Sequence, residues 1–356
     1  MVKNSVTRVH GIVLAGTYSS GHSALDDMAP RPLLPVAQQP LIRYSLSWMR
    51  AAGVTSATIC ANSAARAIRT QLGNSVSDLR LDYIEDWSPR GAAGCVRDAG
   101  RGTNADTFVV ADGTAVPILD LEELLAAHRA SEAAITVVAG ADAAGRLRPT
   151  GVHVFDRRTF QFIPEEGFQD IKEKLIPHLY AAGELVSTHV TTAVAPRAVN
   201  PGSYLALNHW AIERASHAPD QPYGFEADGE ALIHRTASVD PTARLLGPVL
   251  VGPRSAVRAG ATLVGPISIG EGTTVGKEAV VSRSVVWSDC IVGDRAFVDR
   301  CTLGDGARIE ARKRVFSAVR MDHRGPFSSA IRLQTSARAV WAFLGESVRP
   351  PTPDNS

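Results

Sequence analysis

Chemistry in this chain of 356 residues would begin at Leu14–Val36, "LAGTYSSGHSALDDMAPRPLLPV". The stretch follows the apolar run "VHGIVLAG" and leads through prolines into "PLIRYSLSWMRAAG". A loop of small residues between a strand and a helix lets backbone N–H groups approach phosphate oxygens. Gly16 begins that loop, and Tyr18 and His22 are placed either to stack on a base or to fill the site themselves. Two more positions belong to the same kind of location. Gly91 in "SPRGAAGCVRDAG" opens a helix, and Asp112 in "TFVVADGT" ends a strand. Asp112 is a candidate ligand for a metal ion or a ribose, although "ADGT" also has the composition of a plain turn. The 10 histidines form no HExxH pattern, and the 4 cysteines (Cys60, Cys95, Cys290, Cys301) form no CxxC, so neither type carries a metal signature.

The elements that must position these residues are legible as alternation. "GIVLAG", "SATICA", "LRLDYI", "TFVVAD" and "AITVVAG" are short apolar strands, with helical patterns such as "PLIRYSLSWMRAAG", "AARAIRTQLG" and "DLEELLAAHRASE" between them. Strand–helix alternation predicts an α/β domain over residues 1–213, a mostly parallel, Rossmann-like sheet covered by helices on both faces. Ligands of such sheets bind outside the carboxyl ends of the strands, where the loops at Gly16, Gly91 and Asp112 converge.

From Val239 the period becomes six: Leu245, Val251, Val257, Leu263, Ile269, Val275 and Val281 follow. After a slip the series resumes at Val285, Ile291, Phe297, Leu303 and Ile309. One inward aliphatic per six residues, with small and turn residues between, predicts a left-handed parallel β-helix over 236–310, of roughly four coils. Residues 214–235 read as a polar linker. In 311–356 a basic stretch precedes "SSAIRLQTSARAVWAFLG", a possible capping helix, and a tail of disordered composition.

With strand, loop and repeat in place, the chain resembles the sugar-phosphate nucleotidyltransferases, the NDP-sugar pyrophosphorylases. The resemblance is carried by "LAG", "PRPLLPVAQQPLI", "GAAG" and the hexapeptide repeats, and is nearest the mannose-1-phosphate guanylyltransferase branch. It implies an enzyme that joins an NTP to a sugar 1-phosphate with Mg²⁺ and releases pyrophosphate. An Arg and a Lys would neutralise the phosphates, and two Asp residues would hold the metal.

Residue by residue, that implication breaks. The family loop LAGGxGTRLxPLTxxxPKP aligns without a gap, so its nucleotide-binding positions fall on Leu14, Ala15, Gly16 and Thr17. The catalytic Arg falls on Gly21. The Lys of PKP falls on Arg31, a candidate catalytic residue that keeps charge but not ammonium geometry. Gly91, Ala92 and Gly94 stand where the family supports the base. The first metal Asp falls on Thr114, or on Asp112 after a two-residue slip that keeps strand phase. The second falls on Arg197, a cation where a cation should bind. Of the sugar-binding segments, the EKP strand is missing between "AITVVAGADAAG" and "RLRPTGVHVFD", and Gly151 is the surviving sugar-side candidate.

Packing residues thus persist while chemical ones fail. This pattern predicts a nucleotidyltransferase-fold protein without ordinary catalysis, a sugar-nucleotide sensor or a regulatory or structural subunit. It would form homo-oligomers, or hetero-oligomers with an active paralogue, through the β-helix. The alternative is a diverged active enzyme using Arg31, Asp112 and Mg²⁺. A β-helix acyltransferase is disfavoured because no histidine lies between Arg235 and Asp322. The balance of 37 basic and 36 acidic residues gives no field for nucleic acid, and no apolar run suggests a leader or membrane span, so a cytoplasmic protein is expected.

Overall fold

The computed structural model describes residues 8–16, 23–86, 88, 90–142, 144–192, 196–218, 222 and 224–321. Its first half is an eight-stranded sheet: β1 Val9–Leu14, β2 Ser56–Ala61, β3 Ser75–Val76, β4 Leu79–Glu85, β5 Thr107–Asp112, β6 Ile135–Ala141, β7 Leu147–Asp156 and β8 Val186–Thr191. The order across the sheet is β8-β6-β7-β5-β1-β2-β4-β3. β1 lies parallel to β2 and β5, β2 to β4, and β6 to β8. β7 runs antiparallel between β5 and β6, because the short polar link after β6 leaves room for a hairpin only.

Side-chain alternation sends Val13, Val109 and Val154 to one face and Ile12, Val110 and Phe155 to the other. The first face is covered by α1 Ile42–Ala51, α2 Ala65–Leu72 and α4 Leu121–Ser131. The second is covered by α3 Gly91–Arg101 and α5 Ile176–Ala181. Local chemistry fixes the helix starts. Asp120 caps α4 by accepting from Glu123 N at 3.0 Å, and Asn200 and Ser203 form a capping box on α6 Pro201–Ser216.

The second half is a parallel β-helix with three faces. The first face stacks Ala231–His234, Val249–Val251, Ile267–Ile269, Val285–Val286, Thr302–Leu303 and Val319–Arg320. The other two faces carry five strands each, so the repeat closes five coils where the spacing suggested about four. The inward residues after the slip are Val286, Val292 and Val298, then Leu303, Ile309 and Val315. Val285, Ile291 and Phe297, the expected ones, are not in that core. Val285 packs toward the first domain, Ile291 is 38% exposed, and Phe297 stacks on Phe316. The cause is a shortened corner. Val251 pairs with Ile269, an 18-residue coil, but Ile269 pairs with Val286 and Val286 with Leu303, both 17-residue coils. Arg283 and Arg300, with φ of 44° and 53°, turn these tighter corners.

The 214–235 stretch is not a free linker. Ser216 ends α6, and Phe225–Asp228 pairs antiparallel with Ala231–His234, which is already the first rung of the β-helix. At the other end strands continue past residue 310 to Val319–Arg320, because the inward position is still filled by Val315. The expected capping helix and tail lie outside the described residues. No helix among the described residues is long and apolar enough to cross a membrane.

α6 joins the halves. Leu25, Leu34, Val36, Tyr204 and Leu207 share one core with Val285 and Trp287 of the β-helix. Trp287 Nε1 donates to Tyr204 Oη at 3.0 Å, and that hydroxyl donates to Pro35 O at 2.5 Å. The turn joining Pro35–Val36 to Gln39–Pro40 has both central residues left-handed, Ala37 at φ 44° and Gln38 at φ 66°. Asn208 Oδ1 accepts from Ala37 N at 3.0 Å and Gln38 Nε2 donates to Ile269 O at 2.8 Å, so the strained turn is gripped from both sides.

Candidate functional site

The predicted positions lie at the carboxyl ends of parallel strands: Asp112 ends β5, Gly16 follows β1 and Gly91 follows β4, two strands from β1 across the sheet. Leu14 and Ala15 are built into the sheet. Leu14 O accepts from Gly113 N at 2.9 Å, and Ala15 N donates to Cys60 O at 2.8 Å, so the Ala15 amide is already satisfied. Gly16 is the last described residue before the loop. Thr17, Tyr18 and His22 lie outside the described residues.

Arg31, the candidate for the phosphate-binding Lys, is 9% exposed and forked onto Asp26. Nε donates to Oδ1 at 2.6 Å and Nη2 to Oδ2 at 2.9 Å, a bidentate pair that neutralises the guanidinium. Asp26 was not singled out from the sequence. The signal available was an acid five residues before the only cation of "PRP".

At the start of α3, Gly91 has φ +73°, and a Cβ there would overlap the backbone of Gln169. Ala93 N donates to Gln169 O at 2.9 Å, and Gln169 N donates to Arg90 O at 2.7 Å. A crossing segment therefore meets this helix start. Gly91 has a packing reason to be glycine, and one α3 amide is already bonded to protein. Ala92 is half-buried and Gly94 buried beside Arg90.

Asp112 ends β5 next to β1, within the sheet's central ladder. Thr114 donates to Oδ1 twice, from N at 2.8 Å and from Oγ1 at 2.7 Å. Oδ2 accepts from Arg197 Nη2 at 2.5 Å. Arg197 is positioned by its backbone, which bridges Ala115, while Val116 N donates to Pro196 O at 3.0 Å. Gly151, with φ +82°, faces this pair. A Cβ there would overlap Arg197 Nη2 and lie 2.7 Å from Asp112 Cβ. The structure thus brings Asp112, Gly151 and Arg197 into one corner, with Gly151 admitting the ion pair.

His153, two residues beyond Gly151 on β7, feels the charges of Asp112 and Arg197. Sequence reasoning passed over it, because the ladder between β6 and β7 shifts register here and plain alternation does not run through Gly151. Burial, reinforced by Arg197 and opposed by Asp112 and Asp170, pushes its imidazole down to about 4. Its Nδ1, and Nε of Arg197, are buried without a hydrogen-bond partner among the described residues.

These groups do not fit a divalent ion. Among the described residues no three His, Cys, Asp or Glu side chains gather to hold a metal. Asp112 is engaged by Thr114 and by a guanidinium that would repel a cation.

Comparison with known proteins adds the following. The nucleotidyl transferase family model matches residues 10–223, and the GMPPB C-terminal domain matches 245–349. The chain is 26% identical to a mannose-1-phosphate guanylyltransferase of Mycobacterium tuberculosis over 304 residues, 78% of this chain and 84% of the relative. It is 24% identical to a glucose-1-phosphate thymidylyltransferase of Streptomyces griseus over 340 residues, 86% and 90% of the two chains. A solved Bacillus anthracis protein described as a glucose-1-phosphate thymidylyltransferase, in complex with sucrose, superposes with a TM-score of 0.51 at 16% identity. It covers 57% of this chain and 95% of that one, a likeness of fold.

Proposed function

Since the chain belongs to the nucleotidyl transferase family, and within it to the sugar-phosphate nucleotidyltransferases, we propose that it binds a sugar nucleotide without turning one over at the family's rate. The Arg197–Asp112 pair carries this reading. Pyrophosphate release needs charge stabilisation where the phosphoryl group is transferred, normally from a divalent ion and free cations. By the family alignment a guanidinium falls at the second metal position, and it engages Asp112, the carboxylate two residues from the first. Arg31, the cation nearest the Lys position, is neutralised by Asp26. The diverged-enzyme alternative needs Arg31 and Asp112 free, and both are engaged.

The role that follows is regulatory or structural, in the cytoplasm, beside an active paralogue or a second copy. The second and third faces of the β-helix would serve as the contact, since the first is taken by α6. Thermal unfolding with a panel of NTPs and NDP-sugars tests the binding half. Ligand at about 100 times its Kd adds roughly 2.7 kcal/mol. With an unfolding entropy near 2.1 cal/mol/K per residue, that raises the midpoint of a chain this size by about 4 °C. A rise with an NDP-sugar is expected. An unmoved midpoint with every ligand would contradict the reading.

A further inference from the structure

The corner around Arg197 can be taken one step further, a step that rests on the sugar-nucleotide reading above. Asp112 has both oxygens engaged, Oδ1 by Thr114 and Oδ2 by Arg197. Arg197 is different. A guanidinium carries five N–H donors, and Asp112 takes one, from Nη2. The Nε–H is buried and unpaired among the described residues, as is Nδ1 of His153, whose imidazole feels the charges of both Asp112 and Arg197. The ion pair stands where Asp112 ends β5, at the carboxyl edge where ligands of this architecture sit, and its guanidinium holds a buried donor that is unmet among the described residues.

We propose that Arg197 takes the electrostatic place of a divalent cation, so that the diphosphate of a nucleoside-diphosphate sugar binds this corner on a fixed guanidinium with no metal ion between them. The planar fork matches phosphate oxygens, and its charge is permanent. Asp112 and the missing Cβ of Gly151 hold it in one orientation. Asp112 takes one donor of Arg197 in a single contact, unlike the two-point fork of Arg31 on Asp26, so this guanidinium keeps donors for phosphate but brings only one positive charge. That favours a diphosphate esterified at both ends over a free triphosphate, which carries more charge and needs a metal counter-ion. A metal ion is kept out by the same guanidinium.

The test uses the full-length protein and a panel of GDP-mannose and UDP-, ADP- and dTDP-glucose. Calorimetric titrations are run in EDTA and again in excess Mg²⁺. Binding of one of these with a Kd equal in the two buffers, within about twofold, is expected. Arg197→Gln should weaken it by at least about tenfold, the loss of a charge-assisted contact, and Arg197→Lys by less. Arg197→Asp should create two facing carboxylates. Electron spin resonance of free Mn²⁺ should then show uptake by that variant and none by the parent at the same concentration. Should Arg197→Asp fail to fold, the EDTA comparison and Arg197→Gln decide alone. Binding that requires Mg²⁺, or Arg197→Gln binding as tightly as the parent, overturns this inference and leaves the sugar-nucleotide reading standing. No binding of any panel member in either buffer overturns both.

Discussion

Replacing Tyr204 by Phe removes one oxygen from the junction of the two halves and nothing else. Tyr204 is fully buried, so the ring and its packing against Leu207, Val285 and Trp287 stay. The hydroxyl serves two partners, accepting from Trp287 Nε1 at 3.0 Å and donating to Pro35 O at 2.5 Å. The variant leaves an indole N–H and a carbonyl in a region with little water. Each unmet buried group costs about 1–3 kcal/mol, and partial relaxation puts the sum near 3 kcal/mol. An unfolding entropy of about 2.1 cal/mol/K per residue gives roughly 0.7 kcal/mol/K for the chain, so the midpoint should fall by about 4 °C. Differential scanning calorimetry reads this directly. Trp287→Phe, which leaves the Tyr204 hydroxyl able to donate to Pro35, should cost less through lost hydrogen bonding, and the double variant should show coupling of about 1 kcal/mol. A Tyr204→Phe shift under 1 °C would refute the claim that this hydroxyl fastens the β-helix to α6 and the Pro35 turn.

Three other outcomes follow from particular residues. Gly151→Ala forces an L side chain to φ +82° and into Asp112 Cβ, so it should destabilise by about 2–4 kcal/mol, whereas Gly53→Ala, at φ +76° with nothing within 4 Å, should cost about 1 kcal/mol; equal losses in urea unfolding would mean that the corner is not crowded. Val292→Ala should cost about 2 kcal/mol and Ile291→Ala less than about 1 kcal/mol, since the first is fully buried and the second 38% exposed; the reverse ranking would restore the register suggested by the spacing. His10, held between Ser56 and Thr58, and His153 are both pushed down to about 4 by burial from an ordinary 6.5. Between those values the unfolded chain binds more protons, so their contribution is complete above about pH 6.5 and is lost as pH falls toward about 4. Melting curves across that range should flatten in His10→Gln, and a parent midpoint constant from pH 7 to 5 would contradict the burial of both rings.

What was legible in the sequence had a period or a fixed offset. The alternating segments became the sheet and its two helical layers, and the six-residue spacing became the β-helix, because each is a local rule repeated many times. The slip after Val281 was misread for a local reason. A corner one residue shorter, turned by a left-handed arginine, brings the inward position from 287 to Val286, whereas the spacing suggested a corner two residues shorter at Val285, and both are valine. The site was half legible. The alignment put Arg197 at a metal position, but its pairing with Asp112, 85 residues away in sequence, is a tertiary event that no spacing announces. Gly91 likewise answers to Gln169, which reaches it from a distant segment. Asp26 and Arg31 are near neighbours, and their fork was missed because the resemblance drew attention to phosphate rather than to an internal partner.

Pyrophosphate release reads turnover itself. Purified protein is incubated with Mg²⁺, each of the common NTPs and mannose or glucose 1-phosphate, and pyrophosphate is followed by a coupled assay. No release above the protein-free control is expected for any pair, because the Arg197–Asp112 and Arg31–Asp26 pairs engage the charges that catalysis would need. Steady turnover in the ordinary enzymatic range of about 1–1000 per second, lost on Asp112→Asn or Arg31→Ala, would contradict it.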